Sequence, residues 1–202
     1  MKIGERRGQQ RRAPIEGAGR ASAGEGAAGL KARELASEIG VALGAIYNLV
    51  EDLDELALRV AGRTLRRLDD ALSAAARRAP ASSAIDQLVA VAVAYRRFAN
   101  DNLHLWRTLF EHRMAPGRPV PDWALGDQMA LFNHILAPLR ALRPDLDAPA
   151  HFRLSQTLFG AVHGVVWLGL EEKFVGLPPA ELDVQIEALT RMICAGLEGT
   201  NC

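Results

Sequence analysis

Apolar residues recur at helical spacing along most of the chain, and the clearest run opens at Leu53. Leu53, Leu56, Val60, Leu65, Leu68 and Leu72 return every three to five positions, with Ala57, Ala61, Ala71 and Ala75 between them. This predicts one long helix over 53–78. Asp52 stands where a cap would accept from the first backbone N–H groups, and Pro80 follows the end. Ser82 or Ser83 caps a next helix whose inner face carries Ile85, Leu88, Val89, Ala92, Tyr95 and Phe98. A further helix holds Leu103, Trp106, Leu109 and Phe110. The segment Pro116–Pro121 places three prolines in six residues and reads as a loop. Helical spacing resumes over 122–142 with Leu125, Met129, Phe132, Ile135 and Leu139, and Pro138 is a candidate bend. Pro144 and Pro149 bracket a connector. Two apolar helices follow, over 150–174 and over 179–197, the second with Leu182, Ile186, Leu189, Ile193 and Leu197. No stretch alternates as a strand would, so the fold class is all-α.

The N-terminal quarter has a different grain. Residues 1–13 are polar and arginine-rich and read as a disordered basic arm. Pro14 can open a helix at its first position, over 14–24. That helix is weak, because Gly17, Gly19, Gly24 and Gly26 each cost about 1 kcal/mol against alanine inside a helix, and Ile15 is its only large aliphatic residue. A short helix over 31–39 buries Leu35, Ala36 and Ile39 and stops at Gly40, and another covers 43–50. The count is about nine helices. Residues 14–52 are expected to form a helix-turn-helix domain, and 53–202 a larger helical bundle domain.

Two short helices crossing over a tight turn need a small residue at the crossing, a glycine in the turn and apolar residues facing inward. Ala36, Gly40, Leu35, Ile39, Ile46 and Leu49 meet those needs. Ala42, Leu43, Gly44, Ala45, Tyr47 and Asn48 are left on the outer side of the second helix, where base edges and phosphates would be met. An ordinary helical hairpin also satisfies the small and apolar positions.

Charge adds to this picture locally. The chain is neutral overall, with 24 Lys and Arg against 24 Asp and Glu, but residues 1–33 hold eight positives against three negatives. A basic end suits a nucleic-acid arm, and equally a solvated tail. Residues 1–20 lack the apolar core of a secretory signal, and no run of 18 apolar residues occurs, so a soluble protein is expected. Cys194 and Cys202 are too few for a disulfide framework and suit a cytoplasmic location. No zinc-protease helix, serine elbow, phosphate loop or Cys/His ligand spacing is present. The chain is therefore read as a non-enzyme with no catalytic residue, no cofactor and no metal.

The run Leu30–Asn48, with Gly40, Val41, Gly44 and Tyr47 at the positions of a G-V-x-x-G-x-x-Y core, resembles the DNA-binding domain of the tetracycline-repressor (TetR) family. The continuation over 49–60 is similar to members in which an aspartate-rich segment opens the fourth helix. Residues 105–113 and 159–168 resemble a C-terminal domain type named for a Trp-His-Gly motif. Val162 stands at the tryptophan position, with His163 and Gly164 retained. The similarity covers about residue 14 to the end. It implies a transcription regulator, usually a repressor, that binds a palindromic operator on double-stranded DNA as a homodimer and is released by a small-molecule effector. Lys31 and Arg33 would face phosphates, Ala42, Leu43, Gly44 and Tyr47 would lie against DNA, and Asn48 either reads an adenine edge or is solvated. Twofold symmetry would set the half-sites roughly 34–36 Å apart, or a multiple.

The departures are specific. The family commonly has Ser or Thr where Lys31 and Ala42 stand, His-Phe at Leu49–Val50 and a lysine at Leu53, and it packs long aliphatics in the first helix. A module that kept ligand or partner binding and lost DNA through this degraded first helix is the alternative. The resemblance also implies an effector pocket among the fifth to seventh helices and dimerisation through the last two. Pocket candidates are Tyr95, Phe98, Trp106, Phe110, Phe132, Phe159, His163 and Trp167, although for each the ordinary reading of an aromatic at helical spacing is plain core. His163 interrupts an apolar run and must be hydrogen-bonded if buried, either to effector or within the protein. Gly160 and Gly164, four apart, let a second helix approach closely. A helix so apolar all round needs cover on more than one side, from a partner subunit or from a deep monomer core.

Overall fold

The computed structural model describes residues 53–80, 83–111, 114, 117, 119–171 and 178–198. Six helices and no strand occur among them: α1 (Leu53–Arg78), α2 (Ala84–Asp101), α3 (Leu103–Glu111), α4 (Asp122–Leu142), α5 (Ala148–Gly169) and α6 (Leu182–Glu198). These are the last six of the nine helices expected. The helices expected over 14–24, 31–39 and 43–50 lie outside the described residues, as does the cap at Asp52.

Local chemistry explains most boundaries. α1 carries Asp54 and Glu55 in its first turn and Arg77 and Arg78 in its last, both favourable to the helix dipole. Ala57, Val60, Leu65, Leu68 and Leu72 are buried along it. Thr64 joins them in the core by bonding back to the Val60 carbonyl at 3.0 Å, which satisfies its hydroxyl. Ser83 caps α2: its Oγ accepts from the Asp86 backbone N–H at 3.1 Å.

α5 starts two residues before its expected position. Asp147 accepts from the Ala150 N–H at 2.7 Å, and Pro149 falls within the first turn instead of the connector. A proline is free to sit there because its missing donor has no partner in that turn. The helix ends at Gly169 and not at 174, with Leu170 as its C-cap, whose N–H donates to the Val166 carbonyl at 3.0 Å.

α4 spans the expected residues, with Pro138 buried inside it. Its apolar stripe is only partly covered, however. Leu139, Leu136 and Ala124 are buried, whereas Leu125 and Met129, expected to face inward, are exposed. Periodicity fixes which side is apolar, but not how far a neighbour reaches along it.

The chain divides into two compact units, one ending at Arg66 and taking up Asn102–Asp127, the other comprising Arg67–Asp101 and Gln128–Cys202. In the first, Arg59 lies over the Trp123 ring and Arg66 donates to Asp127 at 2.8 Å. In the second, α2 packs on both α5 and α6, which also pack on each other. Leu88, Val91, Ala92, Tyr95, Phe98 and Ala99 of α2 meet a core completed by Leu158, Val162 and Val166 of α5 and Leu182, Ile186 and Cys194 of α6. Arg97 pairs with Asp183 at 2.9 Å and Arg191 with Asp86 at 2.8 Å, which hold the α2–α6 seam at its rim. No helix among the described residues is long and apolar enough to cross a membrane.

Candidate functional site

The expected DNA-facing residues, Lys31, Arg33, Ala42, Leu43, Gly44, Tyr47 and Asn48, lie outside the described residues. The site that can be built from geometry is on α5.

At about 100° per residue, α5 divides into three faces. His151, Ser155, Leu158, Val162 and Val166 form the buried face. Beside it run Phe152, Phe159, His163 and Trp167, spaced seven, four and four apart, all half-buried. On the far side of that stripe lie Gly160, Gly164 and Leu168 at successive intervals of four.

The aromatic stripe gathers rings from two other helices. Tyr95 of α2 meets Phe159 edge-on at 5.7 Å between centroids, and Phe132 of α4 meets Phe159 at 5.7 Å and Phe152 at 5.6 Å. His163 stacks on Phe159 at 5.3 Å and lies 5.8 Å from Trp167. Edge-on and offset contacts of this kind match the ring quadrupoles and stabilise by about 0.5–1.5 kcal/mol per pair beyond burial. The Tyr95 hydroxyl and His163 Nδ1 are 2.7 Å apart and hydrogen-bonded. Burial lowers the basicity of His163 from its ordinary value of 6.5, so the imidazole is neutral around neutral pH.

Five of the eight expected pocket residues therefore come together: Tyr95, Phe132, Phe159, His163 and Trp167. Phe98 is buried on α2, within the core of the same unit. Trp106 and Phe110 belong to the other unit, where they pack on each other edge-on at 5.4 Å, Trp106 buried and Phe110 exposed. Phe152 was missed by sequence reasoning. The signal was there, since it stands two helical turns before Phe159 on the same stripe.

The glycine flank is open. A Cβ built at Gly160 or Gly164 would meet nothing within 4 Å. Leu168 beyond them is 52% exposed, and on α6 Val184 and Met192 are 64% and 65% exposed. Within the described residues the chain leaves these positions uncovered.

Residues 88–193 match the family described as "Tetracyclin repressor-like, C-terminal domain". That description names no Trp-His-Gly type. No curated protein sequence matches the chain. Among solved structures, a protein of unknown function from Rhodococcus sp. RHA1 is similar over 94% of this chain and 95% of its own, with TM-score 0.75 and 25% identity. A TetR family transcription regulator from Marinobacter aquaeolei VT8 is similar over 96% and 97%, with TM-score 0.65 and 20% identity. A TetR-family transcriptional regulator from Streptomyces coelicolor is similar over 97% and 84%, with TM-score 0.64 and 19% identity. The two latter likenesses speak to the fold. With more than half of its length matched by the family's C-terminal domain, and with an all-helical fold among the described residues, this chain belongs to the tetracycline-repressor (TetR) family.

Proposed function

We propose that the protein is a DNA-binding transcriptional regulator of the repressor kind, acting as a homodimer and released by a small-molecule effector. The match over residues 88–193 carries this reading. The sequence of residues 30–48, with its glycine turn and Tyr47, supplies the DNA-binding half of it. The open flank at Gly160 and Gly164, together with exposed Val184 and Met192, suits a twofold partner, because small residues allow close helix approach and large apolar ones give it area. The half-buried aromatic stripe around the Tyr95–His163 pair suits the effector: apolar rings bound the site and two polar atoms orient what enters it.

Release follows if the effector binds better to the conformation that fits the operator less well. α1 is the structural candidate for transmission, as a continuous helix from Leu53 to Arg78 whose tilt would change the spacing of two reading heads.

The experiment is selection of duplexes from a random pool on the full-length protein, followed by footprinting of the winners. A protected palindrome with half-sites roughly 34–36 Å apart, or a multiple, is expected. Absence of any protected palindrome would remove the regulator reading and leave a helical binding module.

A further inference from the structure

The first half of α1 meets the start of α4 through a short polar seam. Arg59, Gly62 and Arg66 follow one another at intervals of three and four on one side of α1, and Trp123 and Asp127 stand four apart on α4. All five belong to the same compact unit. The Arg59 guanidinium lies 5.1 Å from the centre of the Trp123 ring, and Arg66 Nη1 donates to Asp127 Oδ2 at 2.8 Å. Gly62, between the two arginines, is buried, and a Cβ added there would stand 2.7 Å from that same Oδ2. The carboxylate occupies the place that a side chain at position 62 would take, so alanine there and this position of Asp127 exclude each other. Stability does not account for the arrangement. The Arg66 side chain is 64% exposed, and an ion pair so open to water contributes little. A glycine inside a helix costs at least as much as such a pair returns. What the contact secures is position, the place of α1 against the first turns of α4.

We propose that Gly62, Arg66 and Asp127 form a latch that fixes the first half of α1 on α4, and that the latch strengthens operator binding by holding α1 in one position. The proposal rests on the regulator reading above and adds the residues that control α1. A duplex with two half-sites accepts one spacing of the reading heads. When α1 is free to take several positions, binding must select among them, and the apparent affinity falls with the fraction that fits. Weak contacts meet a second need, since an effector has little to overcome in opening them.

The test pairs thermal unfolding of the full-length protein with binding of the duplex obtained by selection. Gly62→Ala should leave the unfolding midpoint level or lower it in the parent chain, where it displaces the carboxylate. In an Asp127→Ala background, where only the gain in helix propensity remains, it should raise the midpoint by about 2–4 °C. An equal rise in both backgrounds would overturn the contact. Gly62→Ala, Arg66→Gln and Asp127→Ala should each weaken operator binding about three- to tenfold, with midpoints within about 4 °C of the parent. The double variant Arg66→Gln, Asp127→Ala should bind no more weakly than the weaker single variant, because the two residues act as one pair. Additive losses would show Arg66 and Asp127 acting separately, and unchanged or tighter operator binding would show that the latch does not hold the binding position. Either result overturns the proposal. Should selection yield no operator, the regulator reading fails and the role of the latch with it, while the unfolding comparison still decides whether Gly62 admits the carboxylate.

Discussion

α5 carries two flanks on the same helix, and the chain treats them in opposite ways. Along Phe152, Phe159, His163 and Trp167 it supplies ring neighbours from α2 and α4 and an internal hydrogen bond. Along the other flank nothing among the described residues lies within 4 Å of a Cβ added at Gly160 or Gly164, and Leu168 is exposed. Both flanks are of low polarity, so hydrophobicity does not distinguish them. What differs is ring against small residue: the first suits the proposed grip on a small molecule, the second the proposed close approach of another helix. The proposed partner helix would account for two glycines in mid-helix, each of which costs about 1 kcal/mol against alanine.

Substitution at the open flank should have the largest effect. Gly160→Leu combined with Gly164→Leu is expected to raise the dimer dissociation constant by about 100-fold or more, read by sedimentation equilibrium. Because nothing among the described residues lies within 4 Å of either Cβ, helix content should hold. A dimer unaffected by this change would mean that the open flank has another purpose.

A third glycine on the same helix offers a contrast. At Gly169 an added Cβ would stand 2.9 Å from Leu182 Cδ1, so Gly169→Ala should destabilise the fold by about 1–3 kcal/mol in urea unfolding, with little effect on association of the folded protein. On the aromatic flank, Tyr95→Phe removes one hydrogen bond and keeps every ring contact. The expected loss is about 1 kcal/mol, smaller than that at Gly169.

The smallest effect is one of pH. His163 is less basic folded than unfolded, so the folded state disfavours its protonation. Its contribution to stability is full above the ordinary value of 6.5 and is lost as pH falls through and below it. Thermal unfolding midpoints measured across this window should fall less steeply for His163→Phe than for the parent chain. Identical slopes would place the acid sensitivity on other groups.

The helical reading was legible where the determinants are local. The bounds of α1 and α4 follow from apolar periodicity closed off by proline and acidic first-turn residues, which act within one or two turns. α5 was read less well, because Asp147 reaches past Pro149 to begin it and the cap at Leu170 ends it short of 174. The candidate site was half legible. His163 announced itself by breaking an apolar run, but its partner Tyr95 is 68 residues away. The expectation that Trp106 and Phe110 would join the same pocket had only helical spacing behind it, and they belong to the other unit.

By itself the sequence determined where the described helices run, which side of each is apolar and which family motifs the chain carries, since all of these depend on neighbours a few residues apart. Tertiary structure alone decided which rings meet, that the imidazole is desolvated and bonded to a phenol, and that the described residues fill one flank of α5 and leave the other uncovered. Contact between helices depends on how far each one reaches over its neighbour, and no spacing within a single helix encodes that distance.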